Sequence, residues 1–338
     1  MTGMLPDLAR PVLVAPMAGG PSTTALVRAA ADAGATGFLA AGYKTPEVVE
    51  AEVGTLRAAG VPYGLNIFVP MPRLDDPAPI ERYRRELQPE ADRYGVELPA
   101  IRGADDDHFA AKVEIAVSAA VPLVSFTFGV PDRGVVRALR DAGSTVLITV
   151  TGVDEARRAL AAGPDLLIAQ AGTAGGHAAT TDPREYRGTS VATGLLPEIL
   201  AVSGVPVVAA GGTGTAADVR ALLTAGAIAV QAGTAFLLAD EAGTRAPQRE
   251  AMLSGRHTAT VVTRAFTGQP ARALRNRFTD TYSASAPVGY PAIHHLTAPI
   301  RAAAAARGDA EALNLWAGTA FAAAAPGPAA HLLDRLCA

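Results

Sequence analysis

Residue types able to do chemistry gather where short apolar runs end in glycine. The fullest example is Leu166 to Ala179, LLIAQAGTAGGHAA, an apolar run that breaks into a glycine-rich turn and closes on His177. An imidazole titrates near neutrality when unperturbed, so His177 could take a proton from a carbon acid or hydrogen-bond an anion. Alone, such a histidine reads more readily as an ordinary loop residue. A second pattern lies in Pro206 to Asp218, PVVAAGGTGTAAD, and in Gln231-Ala232-Gly233-Thr234. There Gly211, Gly212, Thr213 and Gly214 lead into a helix start, where free amides and the helix dipole suit a phosphate. No G-x-x-x-x-G-K-[ST] loop is present, and the glycines follow late strands. A nucleoside triphosphate or a Rossmann dinucleotide is therefore disfavoured, and a flat, phosphate-bearing cofactor across a barrel mouth fits better. His294-His295 has no carboxylate or cysteine at ligand spacing, so a mouth or packing role is expected and no metal. Asp105-Asp106-Asp107 with His108 reads as a helix N-cap with solvated charges.

The elements that would hold these residues follow a strand-helix rhythm. Apolar runs occur at Pro11–Met17, Thr36–Gly42, Tyr63–Val69 (with Asn66 in its middle), Leu123–Gly129, Thr145–Val150, Leu166–Gln170, Pro206–Gly212 and Ala227–Thr234. Strands that read as continuous apolar runs are buried on both faces, as in a parallel sheet covered by helices. Helix starts are expected at Pro21-Ser22-Thr23-Thr24, at Pro46 (followed by Val48, Val49, Val53 and Leu56 at helical spacing), at Asp132 and at Asp154. Eight such units predict a TIM (β/α)8 barrel, whose chemistry sits at the strand carboxyl ends and whose phosphate pocket lies after strands seven and eight. The prediction is an α/β chain with a barrel over residues 1–240, interrupted by a charged, proline-rich insertion at about 70–101. A mostly helical substrate-side region covers the active site over 241–300, and C-terminal helices over 301–338 pack back on the barrel.

Composition narrows the function classes. A chain of 338 residues that is 49% hydrophobic can bury a large core, and a net charge of −3 gives no electrostatic case for nucleic acid. The single cysteine, Cys337, excludes a disulfide within the chain. No signal-peptide pattern opens the sequence, and no apolar run approaches the roughly 18 residues of a membrane span. A cytoplasmic protein without membrane association is expected.

Four segments carry a family resemblance: Ala15-Pro16-Met17-Ala18-Gly19-Gly20, Gly64-Leu65-Asn66, Gln170 to His177, and Gly211-Gly212 together with Gln231-Ala232-Gly233-Thr234. With Thr263–Phe278 and Leu296–Ala320 beyond the barrel, they span nearly the whole chain. The sequence resembles the FMN-dependent nitronate monooxygenases, formerly 2-nitropropane dioxygenases, TIM barrels related to the FMN-containing enoyl-acyl-carrier-protein reductases. The resemblance implies FMN as cofactor. Ala15, Pro16, Met17 and Ala18 would face the ring, and Asn66 and Gln170 would bind its polar atoms. Gly175, Gly176, Gly211, Gly212, Gly233 and Thr234 would hold the ribityl phosphate, and Thr213 and Gln231 join the cofactor-binding set. Thr149, at the end of the fifth strand, joins the cofactor set by spacing. Asn66 reads alternatively as a satisfied turn amide, and Gln170 as a group satisfying buried backbone.

His177 matches the family histidine proposed as base or nitro-group ligand. The expected reaction is oxidation by O2 of an alkyl nitronate, such as propionate 3-nitronate, or of a nitroalkane, giving a carbonyl compound and nitrite. An FMN-dependent NAD(P)H oxidoreductase acting on a quinone or enoyl thioester is the alternative, and a non-catalytic FMN-binding protein a more distant one. A homodimer remains open. Tyr282, Tyr290 and Pro291 are expected to line the substrate cavity. The sequence departs from the family pattern at Thr173, Ala178, Ala179 and Ala235, where many members carry Glu, Arg, Gly and Arg.

Overall fold

In the computed structural model, which describes residues 9–73 and 75–338, eight short apolar strands hydrogen-bond side by side and close on themselves. They are β1 (Val12–Val14), β2 (Thr36–Ala40), β3 (Tyr63–Phe68), β4 (Leu123–Thr127), β5 (Thr145–Val150), β6 (Leu166–Gln170), β8 (Val207–Ala210) and β9 (Ala229–Ala232). All pairings are parallel, and β9 returns to β1 with Leu13 opposite Gln231. The strands are buried almost throughout, because helices cover one face and barrel side chains the other. Leu13, Phe38, Leu123, Leu147, Leu166, Val208 and Ala229 plug the interior. Phe38 has room only because the neighbouring strand carries Gly64: a Cβ there would lie 2.3 Å from the Phe38 ring. The reading of residues 1–8 as lacking a leader falls outside the described residues.

The helices around the barrel are α1 (Thr24–Asp32), α2 (Pro46–Ala59), then α3 (Ala78–Glu86) and α4 (Gln88–Tyr94) in the insertion, α5 (Phe109–Ser118), α6 (Arg133–Asp141), α7 (Val153–Ala162), α8 (Ala192–Leu200) and α9 (Ala216–Thr224). Thr23 caps α1 by accepting from Leu26 N. In α2 the buried stripe is Val49, Val53 and Leu56, whereas Val48 falls on the solvent face. Two expected caps are differently made. Gly152, not Asp154, is the N-cap of α7, and Asp154 sits in the first turn, where its charge still meets the helix dipole. The α5 N-cap is His108 in a left-handed conformation, with no side-chain cap bond. Asp107 accepts instead from Tyr43 N and pairs at 2.8 Å with the fully buried Lys112, while Asp105 lies 2.7 Å from His295. Asp107 and Asp105 are thus structural partners, while Asp106 stays exposed and accepts from His108 N.

Beyond the barrel come α10 (Ala246–Leu253), α11 (Arg277–Tyr282), α12 (Ala292–Ala306) and α13 (Ala329–Cys337). A feature absent from the sequence reading is a second, antiparallel sheet formed by β10 (Thr260–Thr263), β11 (Ala271–Leu274) and β7 (Gly176–His177), in the order β10-β11-β7. The turn after β6 thus becomes the edge strand of this sheet, with His177 opposite Ala271. The insertion helices bury Ile80, Tyr83, Leu87, Ala91 and Tyr94 against Phe266, Phe278, Tyr282, Ile293 and Leu296, a second core beside the barrel mouth. Buried Glu90 of α4 accepts from Arg277 of α11 and ties the two layers. α13 packs against α1 and α9.

Candidate active site

At the carboxyl ends of the strands lies a cavity of about 450 Å³. Ala15, Pro16, Met17 and Ala18 follow β1, which ends at Val14 so that these residues can turn across the mouth. Asn66 of β3, Thr149 of β5, Gln170 of β6, Gly175, Gly176 and His177 of the turn after β6, Gly211, Gly212 and Thr213 after β8, and Gln231, Gly233 and Thr234 at β9 complete one wall. Every residue singled out from sequence for the cofactor or for catalysis therefore faces this single space.

Each side chain there is held by its neighbours. Asn66 Nδ2 donates to Ser125 Oγ at 2.9 Å, to Ser125 O at 3.2 Å and to Thr127 Oγ1 at 3.0 Å. Its Oδ1 accepts no bond among the described residues. Gln170 spans the turn it precedes: Nε2 donates to His177 O at 3.0 Å and Oε1 accepts from Ala179 N at 2.8 Å, so its amide is committed mainly to backbone. Gln269 donates to Ala178 O and Thr180 O, and Arg272 donates to Gly172 O and Gly188 O, both at 2.7 Å. These bonds hold the stretch from 172 to 188 as firmly as regular structure would.

The turns after β8 and β9 form a cradle. Gly211 (φ 109°) and Gly212 (φ 73°) occupy left-handed backbone, and a Cβ on Gly212 would stand 2.9 Å from Thr173 Oγ1. The Thr173 and Thr213 hydroxyl oxygens are buried without a partner among the described residues. Buried hydroxyls are normally satisfied, so two orphans beside a glycine turn suit the oxygens of a phosphate-bearing group. From the far side, the segment Trp316–Ala320 closes over the cradle: Gly318 N donates to Thr234 Oγ1 at 2.9 Å and Thr319 N to Thr173 O at 3.1 Å. Gly175 must be glycine for this approach, since a Cβ would meet Gly318 N at 2.4 Å.

His177 sits in an aromatic cage. Its ring lies 5.4 Å from Phe128, 6.0 Å from Tyr290 and 5.2 Å from Trp316, and Nε2 hydrogen-bonds Thr267 Oγ1 at 2.9 Å. Burial, reinforced by the Arg301 guanidinium, pushes its pKa down to about 3, so the imidazole is neutral at any ordinary pH. Phe128 (φ 76°) and Tyr43 (φ 68°) both hold left-handed backbone that bulky residues avoid, Phe128 just after β4 and packed on His177, Tyr43 after β2 on the cavity lining. His294 stacks on Tyr43 at 4.2 Å with its pKa also driven well down by burial, and Arg301 donates to His294 O at 2.8 Å. Tyr290 and Pro291 line a smaller adjoining pocket with Tyr43 and His295 rather than the main cavity. Tyr282 is a correction: it is buried in the second core against Tyr83 and Phe278, away from the cavity.

Sequence reading passed over Arg245, Arg301, Thr267, Trp316 and Tyr43, all of which line the cavity. A signal existed for one of them. His294, Thr297, Ala298 and Arg301 recur at helical spacing on an otherwise alanine-rich α12, and a charge on an inward stripe marks a site.

Known proteins bear on these observations. A family model described as nitronate monooxygenase matches residues 3–338. A protein named probable nitronate monooxygenase from Staphylococcus saprophyticus subsp. saprophyticus is 34% identical, covering 94% of this chain and 90% of its own. Its namesake from Staphylococcus aureus (strain MRSA252) is 33% identical over 99% of this chain and 95% of its own. Among solved structures, a nitroalkane oxidase from Streptomyces ansochromogenes superposes with a TM-score of 0.95 at 44% identity, covering 99% and 96% of the two chains. FabK from Thermotoga maritima, at 24% identity, a TM-score of 0.75 and coverage of 98% and 93%, shares the fold. No helix among the described residues is long and apolar enough to cross a membrane. The chain is an α/β-barrel oxidoreductase that belongs to the nitronate monooxygenase family.

Proposed function

We propose that the cavity binds FMN and oxidises alkyl nitronates, or the parent nitroalkanes, with O2 to a carbonyl compound and nitrite. The observation that carries this reading is His177 in its aromatic cage, opening on the same space as the glycine and threonine turns after β8 and β9. The family is flavin-dependent in general. The orphaned hydroxyls of Thr173 and Thr213 and the left-handed Gly211-Gly212 suit the phosphate, with Gly175, Gly176, Gly233 and Thr234 completing the cradle. Ala15 to Ala18, Asn66, Thr149, Gln170 and Gln231 would line the ring. When bound, the flavin supplies the acceptor for the substrate's electrons and their return to oxygen.

The chain's own residues do the rest. With a nitroalkane, His177 is placed to take the proton from the carbon bearing the nitro group: the nitronate left beside it favours the imidazolium that burial alone disfavours, and the hydrogen bond to Thr267 orients the ring. With a nitronate, already ionised, no proton need move, and His177 serves as a neighbour to the nitro oxygens. Phe128, Tyr290 and Trp316 exclude water from that step.

Purified protein should show a flavin absorbance spectrum that bleaches on anaerobic mixing with propionate 3-nitronate. His177→Ala should lower kcat/KM on nitroalkane about 100-fold or more, the weight of a general base, and on nitronate far less. Equal losses on both substrates would reject the base. Fast NADPH turnover with a quinone or enoyl thioester, with no reaction of nitronate, would replace this reading with a reductase.

A further inference from the structure

Glu155 of α7 is a buried acid, 8% exposed, that forms no ion pair among the described residues. It stands at the third position of its helix, where a glutamate ordinarily folds back to bond the backbone N–H of the cap residue. Here the carboxylate divides its two oxygens between distant segments. Oε2 accepts from Thr151 N at 2.6 Å and from Thr151 Oγ1 at 2.8 Å, just ahead of the cap Gly152. Oε1 leaves the helix and accepts from Thr180 Oγ1 at 2.8 Å, Thr181 N at 2.8 Å and Thr181 Oγ1 at 3.2 Å. One side chain thus joins the turn after β5, the strand that places Thr149 on the cavity lining, to the segment that follows His177. The donors dictate its chemistry. Each oxygen faces a backbone N–H, which can only donate, so both must accept at once; a carboxylate does this and a primary amide cannot. Five donors and the positive end of α7 stand in for the counter-charge that a buried carboxylate otherwise requires.

We propose that Glu155 is a positioning residue for His177. Past β7 the chain from Ala178 to Thr181 has no regular structure, and side chains hold its backbone instead. Gln170 of β6 bonds His177 O and Ala179 N, Gln269 of the turn between β10 and β11 bonds Ala178 O and Thr180 O, and Glu155 fixes Thr180 and Thr181. Of these three clamps, Glu155 alone reaches in from beyond β5, so it sets the spacing between the Thr149 wall and the imidazole. Arg158 also reaches Thr181, but through the exposed hydroxyl at 2.7 Å and not the backbone. Without the carboxylate, the far end of the segment is free to move and His177 moves with it. This inference rests on the proposed reading of His177 as the group that receives the substrate's proton.

The test is Glu155→Gln, which keeps the volume but turns a donor toward one of the two backbone amides. On a nitroalkane kcat should fall about 10- to 100-fold, the effect of a misplaced reacting group, with KM and the retention of flavin through gel filtration close to wild type. A nitronate, which has no proton to lose, should be affected far less. In the double variant Glu155→Gln/His177→Ala the nitroalkane rate should equal that of His177→Ala, because the clamp then has nothing to place. Equal losses on the two substrates, or losses that multiply in the double variant, would make Glu155 a support of the fold only and overturn the proposal. If Glu155→Gln does not fold, Thr180→Val decides, since it removes one hydroxyl from the carboxylate. A fall of about 2- to 10-fold confined to the nitroalkane, the worth of one hydrogen bond, upholds the clamp, and no change or an equal loss on both substrates overturns it. Wild-type protein that oxidises neither substrate, or a His177→Ala variant that loses equally on both, would end the reading of His177 as a base. The clamp is then judged by the emission of Trp316, the chain's only tryptophan, whose ring lies 5.2 Å from that of His177. A change on Glu155→Gln that disappears in the His177→Ala background upholds it, and an identical spectrum overturns it.

Discussion

His177 shows how position changes the worth of a side chain. In solution an imidazole is half protonated near pH 6.5, but here burial and Arg301 hold it neutral down to a pH of about 3. The unfolded chain therefore binds a proton at this position more readily than the folded one does. Stability linked to His177 is complete above pH 6.5 and is lost as pH falls from there toward 3. Melting temperatures measured between pH 7 and pH 4 should fall less steeply for His177→Asn than for the wild type, and parallel curves would show that the ring does not titrate in this way. His177 was visible in the sequence because a glycine turn isolated it at a strand end. Arg301 was not singled out, because it sits in an alanine-rich helix where only the three-dimensional packing shows that no acid answers it.

Among the elements, the barrel strands were legible because a strand covered on both faces must be apolar along its whole length. The second sheet was not. β7 is only Gly176-His177, too short to carry a period, and it exists because Ala178 N donates to Pro270 O and β11 pairs beside it. Arg272 of β11 is the peg of this arrangement, with bonds to Gly172 O, Gly188 O and Thr260 Oγ1. Arg272→Met should keep the alkyl packing but leave two inner carbonyls unpaired. We expect a loss of about 2–3 kcal/mol by denaturant unfolding and faster proteolysis between residues 172 and 188. An unchanged midpoint would mean that water replaces the guanidinium without cost. The misread start of α5 has a similar origin: acidic residues that would serve as caps in isolation were drawn into other partnerships, Asp107 with Lys112 and Asp105 with His295, whereas Asp154 of α7 falls inside the first turn and pairs with Arg157.

For the whole molecule, the cavity is a joint product of the barrel, the second sheet, α12 and the segment after Leu315. Gly175 lies directly against Ala317 and Gly318. Gly175→Ala should push that segment away from Thr173 and Thr234. The barrel itself has no part in this clash. The variant should therefore lose retention of flavin through gel filtration, while its far-ultraviolet circular dichroism stays that of the wild type. Full retention would show that the segment yields without opening the cradle.

The crossing at Gly318 also sets an order of events during synthesis. By the time the ribosome has released β9 and the strands can close, Thr173 and Thr234 still lack the neighbours that residues 318 and 319 bring to them. The barrel can be finished while its pocket is not, and a nascent chain in that interval has a mouth open to water. On the proposed reading, a flavin would be held only once residues 318 and 319 have joined the pocket, and would not guide the first strands together.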